Sequence, residues 1–293
     1  MTAHEVIDIL KDRGIVEDAD LAGIDMTGAD LKEASFVRVN LSGAILDNAD
    51  LRLAHLSECD LSGARCASAM MEMTVLHQCR LAQADFTCAD MGRVSAPETD
   101  FSGAVFSSAN LTKAWLVGSD LAGQTFVDCT LVMAMMDRCN LKQADFSGLN
   151  LSQTSFTEAD IESARFVMTK GAYASFARAR GPAADFSRAD LLMTTFQDAN
   201  LERAVFRDAR VEQSLFIRAN LNMADFRKSA LAYTDFSHAM VQGAMFSHAG
   251  LAHANMHGVN TDKALWDRAD RTKVMVTDPD LLEAEFWKPG MKR

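Results

Sequence analysis

Residues that mark linkers, disorder and membrane spans are scarce in this sequence. Four prolines in 293 residues argue against long linkers, and 48% hydrophobic with 24% charged residues is typical of a folded soluble protein. No apolar run approaches the roughly 18 residues that a membrane-spanning helix needs. Residues 1–17 carry charged side chains where a secretory signal needs an apolar core. We therefore expect a cytoplasmic protein without a membrane span.

Basic charge is also scarce in the first third of the chain. Residues 1–100 hold 18 acidic and 8 basic residues, residues 101–200 hold 10 and 8, and residues 201–293 hold 12 and 13. Contact with phosphates requires clustered Lys and Arg. We therefore expect no direct nucleic-acid partner.

A repeat of five residues runs through most of the chain. Every fifth residue from Leu21 to Met256 forms an apolar column of 48 centres without an insertion or deletion. The residue two before each centre is mostly small, as at Ala19, and Asp or Asn recurs between the two. A period of five fits neither a helix nor a flat strand. Each unit is therefore predicted to be one short extended side and one corner, with the centre and the small residue inward and Asp or Asn at the corner.

The number of sides follows from sorting the centres at a spacing of 20. One column then consists of nine consecutive phenylalanines, Phe86, Phe106, Phe126, Phe146, Phe166, Phe186, Phe206, Phe226 and Phe246. A second column half a turn away includes Phe156 and Phe176, and the two columns between them are mainly leucine. The coils are thus predicted to have four sides, and about twelve coils at about 4.8 Å each give a rod of roughly 58 Å.

The repeat resembles a known family. Ala-Asp-Leu-Arg-Leu at 49–53, Ala-Asp-Phe-Thr-Cys at 84–88 and Ala-Asn-Leu-Glu-Arg at 199–203 look like pentapeptide repeats, whose pattern is Ala-(Asp or Asn)-Leu-x-x. The resemblance covers about residues 19–256. It implies an all-β fold, the right-handed quadrilateral parallel β-helix, here with about 12 coils, a short N-terminal capping helix and a C-terminal cap.

The two ends and one internal segment depart from the repeat. Thr2 and Glu5 have capping-box spacing, so residues 3–13 are predicted to be a helix within a cap of residues 1–17. The solenoid is assigned to residues 18–271. Residues 272–293 are either a degenerate last coil or a cap with a short helix begun by Asp278-Pro279. Gly171, Gly181 and Pro182 predict a local kink or strand-free side, with a hinge or binding notch as the alternative.

Catalytic and metal-binding motifs are not found in the sequence. It contains no phosphate loop, nucleophile elbow or zinc motif. The recurring Asp and Asn are explained by corners, since paired catalytic carboxylates need a cleft that a convex rod lacks. We therefore expect no enzyme, no cofactor and no metal. Four late histidines, His238, His248, His253 and His257, are expected at the surface, with a metal site among His238, His253 and His257 as the alternative.

The cysteines fit the inward columns. Cys59, Cys79, Cys129 and Cys139 take the small position and Cys66 is a centre. Cys59 and Cys79 lie one coil apart and could form a disulfide, but a reducing cytosol favours free thiols.

One edge of the rod is predicted to be unusually apolar. We number the four sides from the one centred at Leu21, so that Leu51 is a centre of the third side and Leu56 a centre of the fourth. The outward positions between the third and fourth sides include Leu53, Met73, Val75, Trp115, Val117, Met133, Met135, Tyr173, Met193, Leu215, Ile217 and Tyr233. The comparable edge of the first side carries Gly23, Gly43, Gly63, Gly103 and Gly123. A long stripe with Trp, Tyr and Met is typical of a surface that binds another protein or another copy of the chain.

Two functions are open at this point. Residues 199–258, and the start of the repeats at Asp20-Leu21-Ala22-Gly23, are similar to pentapeptide-repeat proteins encoded beside type VI secretion genes, which implies an adaptor for a spike or effector. The alternative is the DNA-mimicking class that binds gyrase or topoisomerase as an acidic dimer. Against it, the acidity stops near residue 100, and the later coils carry Arg203, Arg207, Arg210, Arg218, Arg227 and Lys228.

Overall fold

The computed structural model describes residues 1–287. Its helices and strands are α1 (Ala3–Arg13), β1 (Ile15–Glu17), β2 (Ser35–Val37), β3 (His55–Ser57), β4 (Val75–His77) and α2 (Pro279–Phe286). Strands β1 to β4 form one parallel sheet in which residues 20 apart are partners. Single parallel bridges continue the same spacing on all four walls, as far as Asn255 and Met275. The predicted stacking of residues 20 apart is confirmed.

The corners explain why most walls contain single bridges rather than strands. From Asp18 to Lys273, the residue two after each centre has a positive φ. The amide three after the centre usually donates to the carbonyl of the centre, as Ile24 N does to Leu21 O at 3.1 Å. This is the geometry of a type II turn. Because the turn takes up most of each unit, little backbone remains to extend along the wall.

The recurring Asp and Asn lie on the walls and not at the corners, where the sequence analysis expected them. They are the bridging residues, and their Oδ1 atoms accept from the amide two residues later, as Asp60 does from Ser62 N at 2.9 Å. Some also bond along the rod, as Asn40 Nδ2 does to Asp20 Oδ1 at 2.8 Å. These side chains therefore fix the turn that follows them, which explains their recurrence without any catalytic role.

The core is a narrow column of stacked rings. Phe196 and Phe216, one coil apart, are stacked with centroids 4.7 Å apart and an interplanar angle of 3°. Phe186 and Phe196, on opposite columns, meet edge to face across the core at 5.5 Å and 84°. Both arrangements are favourable for aromatic rings, by about 0.5–1.5 kcal/mol per pair beyond the area buried. The two predicted phenylalanine columns are confirmed.

The glycine-containing coil is regular. Gly171 N donates to Asp190 O and Gly181 N donates to Asn200 O, both at 2.7 Å. A Cβ at Gly181 would lie 2.7 Å from Ile161 Cγ1, so the neighbouring centre fills the space. The predicted kink and the predicted notch are therefore wrong for this coil, because larger neighbouring centres compensate for the missing side chains. Its sides contain single bridges and no strand, as most walls do.

The ends of the rod differ from one another. Helix α1 has the predicted capping box, with Thr2 and Glu5 bonded to each other's backbone, and its Val6 is fully buried in the core cluster. At the other end Asp278 caps the start of α2, which has no buried residue. Residues 288–293, the last part of the segment assigned to 272–293, lie outside the described residues. Within residues 1–287, no helix has the length and hydrophobicity to cross a membrane.

Candidate protein-binding edge

The side chains of the predicted stripe are mostly exposed. We define the apolar edge as its nine exposed members, Leu53, Met73, Trp115, Met133, Met135, Tyr173, Met193, Leu215 and Tyr233. From Leu53 to Tyr233 the edge passes nine coil steps, or about 43 Å at 4.8 Å per coil. It is interrupted by polar residues at the same positions, among them Arg93, Lys113, Gln153 and Gln213.

Three members of the predicted stripe do not belong to the exposed surface. Val117 is buried, and Val75 and Ile217 are half-buried. Val117 and Ile217 come directly after a centre, a position that is half-buried on most sides because the adjacent coils cover it. The prediction treated all three outward positions as equally exposed and was wrong on this point.

The apolar edge is densest around Trp115. Trp115 and Met135 are bridge partners on successive coils, and their side chains are 50% and 45% exposed. Met133 lies at the corner just before Met135 and is also exposed. We call these three residues the Trp115 cluster. Half-exposed side chains on a backbone held by ladder hydrogen bonds form a rigid surface, which loses little conformational entropy when a partner binds.

An open depression lies beside this cluster. It has a volume of about 390 Å³ and is lined by Trp115, Val117, Met135, Asp137, Arg138, Thr157, Glu158 and Arg178. Arg178 Nε donates to Glu158 Oε1 at 2.8 Å, and Asp137 Oδ1 accepts from Thr157 N at 2.9 Å. An apolar centre bordered by charged side chains is the usual anatomy of a protein-binding site.

Folding does not explain the residue types on this edge. Leu53, Met73, Met133, Tyr173 and Tyr233 occupy corners with φ near +60°. A side chain in this conformation costs about 1–2 kcal/mol, whereas glycine adopts it freely. Burial does not compensate at these corners, since all five side chains are exposed.

Aromatic content distinguishes this edge from the other walls of the solenoid, since the remaining exposed aromatic residues, Phe286 and Trp287, lie in the C-terminal segment. Exposed apolar residues also occur elsewhere, at Met70, Val105, Val127, Met168, Met223 and Met240. Both tyrosines of the chain and one of its three tryptophans lie on the apolar edge. Tyr233 also stacks on His253, with centroids 4.7 Å apart. Trp and Tyr dominate binding energies at interfaces, so we take this edge as the candidate site.

The late histidines group only in part as the sequence suggested, and His257 is buried although all four were expected at the surface. His253 stacks on Tyr233, whereas His238 and His257 meet at Glu285 of helix α2. The sequence analysis did not predict Glu285 as a neighbour of the two histidines. Glu285 lies 28 residues after His257, and no short-range sequence signal predicts that its helix packs against the end of the rod.

The cysteines are free thiols. Cys59 and Cys79 are buried, and each Sγ lies 3.4 Å from a backbone oxygen, that of Phe36 or Leu56. Burial raises the pKa of Cys66 to about 12, so this thiol is unreactive at neutral pH. Cys88 stands at an exposed corner, so the inward assignment does not extend to all six.

The arginines of the later coils are largely paired with carboxylates. Arg207 Nη2 and Arg227 Nη2 donate to Asp225 Oδ2 at 2.6 and 2.7 Å, and Arg218 pairs with Asp198. Burial of Asp225 raises its pKa, but the hydrogen bonds from Arg227 and Arg207 outweigh burial and lower the pKa to about 2. Arg207 and Arg218 therefore join adjacent coils, whereas Arg227 holds Asp225 within its own coil.

The ion pairs of Asp225 with Arg207 and Arg227 predict a pH dependence of stability. In the folded protein the pKa of Asp225, about 2, lies below the ordinary 3.8. The stabilisation that these ion pairs give the folded state is therefore complete above pH 3.8 and is lost as the pH falls towards 2. We expect Asp225→Asn to lower the free energy of unfolding at pH 6, and the difference from the native protein to shrink between pH 4 and pH 2. Urea denaturation across this range measures it. Exposed Asp128→Asn is the control, and a difference that stays constant with pH would contradict the assignment.

These observations define the class of protein: a four-sided parallel β-solenoid whose candidate site is an outer edge. Residues 89–166 match the family described as a pentapeptide repeat region. Residues 17–48, 34–65, 59–95 and 194–231 match pentapeptide repeats in eight copies. Together the matches cover more than half of the chain. The chain belongs to the pentapeptide-repeat family.

Two solved structures align with the chain over nearly its whole length, at low identity and low TM-score. HetL, a pentapeptide repeat protein involved in heterocyst differentiation regulation from the cyanobacterium Nostoc, is 21% identical, with 95% of this chain and 98% of HetL covered and a TM-score of 0.26. QnrB1, a plasmid-mediated fluoroquinolone resistance protein, is 13% identical, with 92% of each chain covered and a TM-score of 0.27. No curated protein sequence matches the chain. Neither structure supplies a partner for it.

Proposed function

We propose that this protein is a non-enzymatic scaffold that binds another protein through the apolar edge. The observation that carries the proposal is the Trp115 cluster, an exposed Trp with two Met beside a depression bordered by charged side chains. Hot spots of protein interfaces are rich in Trp and are surrounded by contacts that exclude water. The edge is long and fixed by the solenoid, which suits a partner with an extended surface.

The class of partner is suggested by the repeat sequence and by charge. The resemblance of residues 199–258 to type VI secretion-associated repeats favours a spike or effector, and makes the chain an adaptor in the cytoplasm. A topoisomerase is the alternative, and charge counts against it. A DNA mimic needs negative charge along the whole rod, whereas the excess of acidic residues here ends near residue 100, and within that part Asp18, Asp47 and Asp50 each pair with an arginine.

A second copy of the chain is a further candidate partner. Leu251, Met256, Trp266 and Val274 line a cavity of about 430 Å³ where the stacked core ends. Leu281 and Phe286 of α2, which follows these residues in the sequence, are exposed. Apolar surface of this kind favours self-association. Each test of the apolar edge should therefore also measure the oligomeric state.

The test places a photo-crosslinking residue at Trp115 and, as a matched control, at Met168 on the second side. We expect the Trp115 position to crosslink one specific protein in the native host. With that protein purified, Trp115→Glu combined with Met135→Glu should weaken binding by about 30-fold or more, since a hot spot contributes roughly 2 kcal/mol or more. Val127→Glu combined with Met168→Glu should bind like the native chain.

The outcomes separate the candidates. Crosslinking to a secretion spike or effector supports the adaptor, crosslinking to the chain itself supports a homodimer, and inhibition or protection of gyrase in a supercoiling assay supports the topoisomerase alternative. Equal binding by both double variants, with oligomer size unchanged, would remove the apolar edge from the proposal.

A further inference from the structure

The C-terminal end of the solenoid brings together three side chains that can ligate a metal. His238 and His257 come from successive coils, and Glu285 comes from helix α2. His238 Nε2 and His257 Nε2 lie 3.1 and 3.3 Å from the same atom, Glu285 Oε2. The three ligand atoms all lie within 4.8 Å of one another. Within residues 1–287, no other group of His, Cys, Asp or Glu side chains has this arrangement.

The distances suit a small divalent cation. Zn²⁺ binds His nitrogen at about 2.0–2.1 Å and carboxylate oxygen at about 2.0–2.2 Å, and tetrahedral angles then place the nitrogens about 3.3 Å from the oxygen. The two N···O separations in the structure are close to this value. Two imidazoles and one carboxylate are also a ligand set that zinc uses, with water at the fourth position.

The site lies in a partly protected position. The His257 side chain is 9% exposed, that of His238 is 28% exposed and that of Glu285 is 36% exposed. The His238 ring lies against Gly258, where a Cβ would come within 2.4 Å of His238 Nδ1. A side chain at position 258 would therefore displace the ring, so glycine makes room for it. One face of the cluster remains accessible for a metal ion to enter.

Among the described residues, few polar contacts hold helix α2. It has eight residues and none is buried, and a helix of this length is marginal in water by itself. Its visible attachments are Glu285 to the two histidines, Asp278 N to His257 Nδ1 at 3.3 Å, and, just before the helix, Gly258 N to Thr277 Oγ1 at 3.1 Å. Two of these three attachments involve the histidine pair.

The proton on His257 must move when a metal binds. Because His257 Nδ1 accepts from Asp278 N–H, the neutral ring carries its proton on Nε2 and donates it to Glu285. Coordination through Nε2 requires the proton on Nδ1 instead, with no net proton release from the neutral ring. The contact with Asp278 N–H, already 3.3 Å long, opens in that state.

We propose that His238, His257 and Glu285 bind one zinc-like divalent cation, and that this ion fastens helix α2 to the last coils. The site is distinct from the apolar edge, and it stands whether or not that edge binds a partner. Its position predicts a structural role, because the ion would join the end of the solenoid to a helix that the core does not hold.

The test is a titration of the untagged full-length protein with Zn²⁺, carried out in a Cys88→Ser background to remove the exposed thiol. We expect one equivalent to bind, with Glu285→Gln and His257→Gln weakening it by more than the roughly 10–100-fold that supporting residues contribute. His248→Gln and His253→Gln, two histidines outside the cluster, are the matched controls and should bind like the background. Circular dichroism verifies that each variant keeps the solenoid.

A second readout tracks the helix and the proton. Hydrogen exchange of residues 279–286 should slow on adding Zn²⁺ in the background protein and stay unchanged in Glu285→Gln. The nitrogen-15 chemical shift of His257 Nε2 should change from the value of a protonated nitrogen to that of a metal-bound nitrogen. Equal Zn²⁺ affinity in the cluster and control variants, or binding without slower exchange in α2, would overturn the proposal.

Discussion

Removal of residues 167–186, one whole coil, is expected to give a folded, shorter rod. Phe166 would then precede Ser187, and Phe206 would stack directly on Phe166, because every later residue keeps its wall. The deleted coil includes Gly171 and Gly181, so the two smallest centres of the core are lost with it. Circular dichroism should match that of the native chain, and small-angle scattering should show a rod about 4.8 Å shorter.

Smaller deletions at the same place are expected to do more damage. Removal of residues 167–171 turns all later coils by one side and places the phenylalanine column over a leucine column. Removal of Val167 alone leaves a side of four residues, which is too short both to cross the wall and to turn. In the one-residue deletion, each centre that turns away from the core forfeits about 1.5–3 kcal/mol of burial, against a net stability of about 5–15 kcal/mol for a typical domain. The five-residue deletion keeps its centres inward and loses only the match between columns at the junction.

The expected order of stability is therefore the 20-residue deletion first, then the five-residue deletion, then the one-residue deletion. Urea denaturation with far-ultraviolet circular dichroism measures it. If the single-residue deletion unfolds at the native midpoint, the five-residue side is not what sets the register.

Truncation of a stacked ring is expected to have the largest effect of any single substitution. Phe186 stacks on Phe166 and Phe206 at 4.8 Å, and meets Phe176 and Phe196 edge to face at 5.3 and 5.5 Å. Phe186→Ala removes all four contacts and leaves a cavity in a column only one ring wide. We expect a loss of about 3–5 kcal/mol, the usual range for a buried Phe.

The location of the loss can also be measured. Stability in a solenoid is carried by nearest-neighbour contacts, so hydrogen exchange should rise first in the coils next to Phe186. Exposed Met168→Ala serves as the control and should change the free energy of unfolding by less than about 0.5 kcal/mol. A loss of similar size in both variants would contradict the stacked-core account.

The apolar edge could be found from sequence only in part. Once the period of 20 is known, Trp115 and Met135 fall on one edge by counting, and their exposure follows from the outward position. Counting does not distinguish the residue directly after a centre from the corner residue, since both point away from the core. Val117 and Ile217 were therefore misassigned, and only the packing of successive coils reveals that they are covered.

The solenoid itself was readable from the chain because its contacts repeat. A centre such as Phe106 meets the same kind of neighbour in every coil, so a local pattern is enough to specify the core and its four walls. The meeting of Glu285 with His238 and His257 has no such repetition. It depends on where one helix, begun at Asp278 and anchored by no buried residue, returns to the end of the rod, and that is decided only by the tertiary structure.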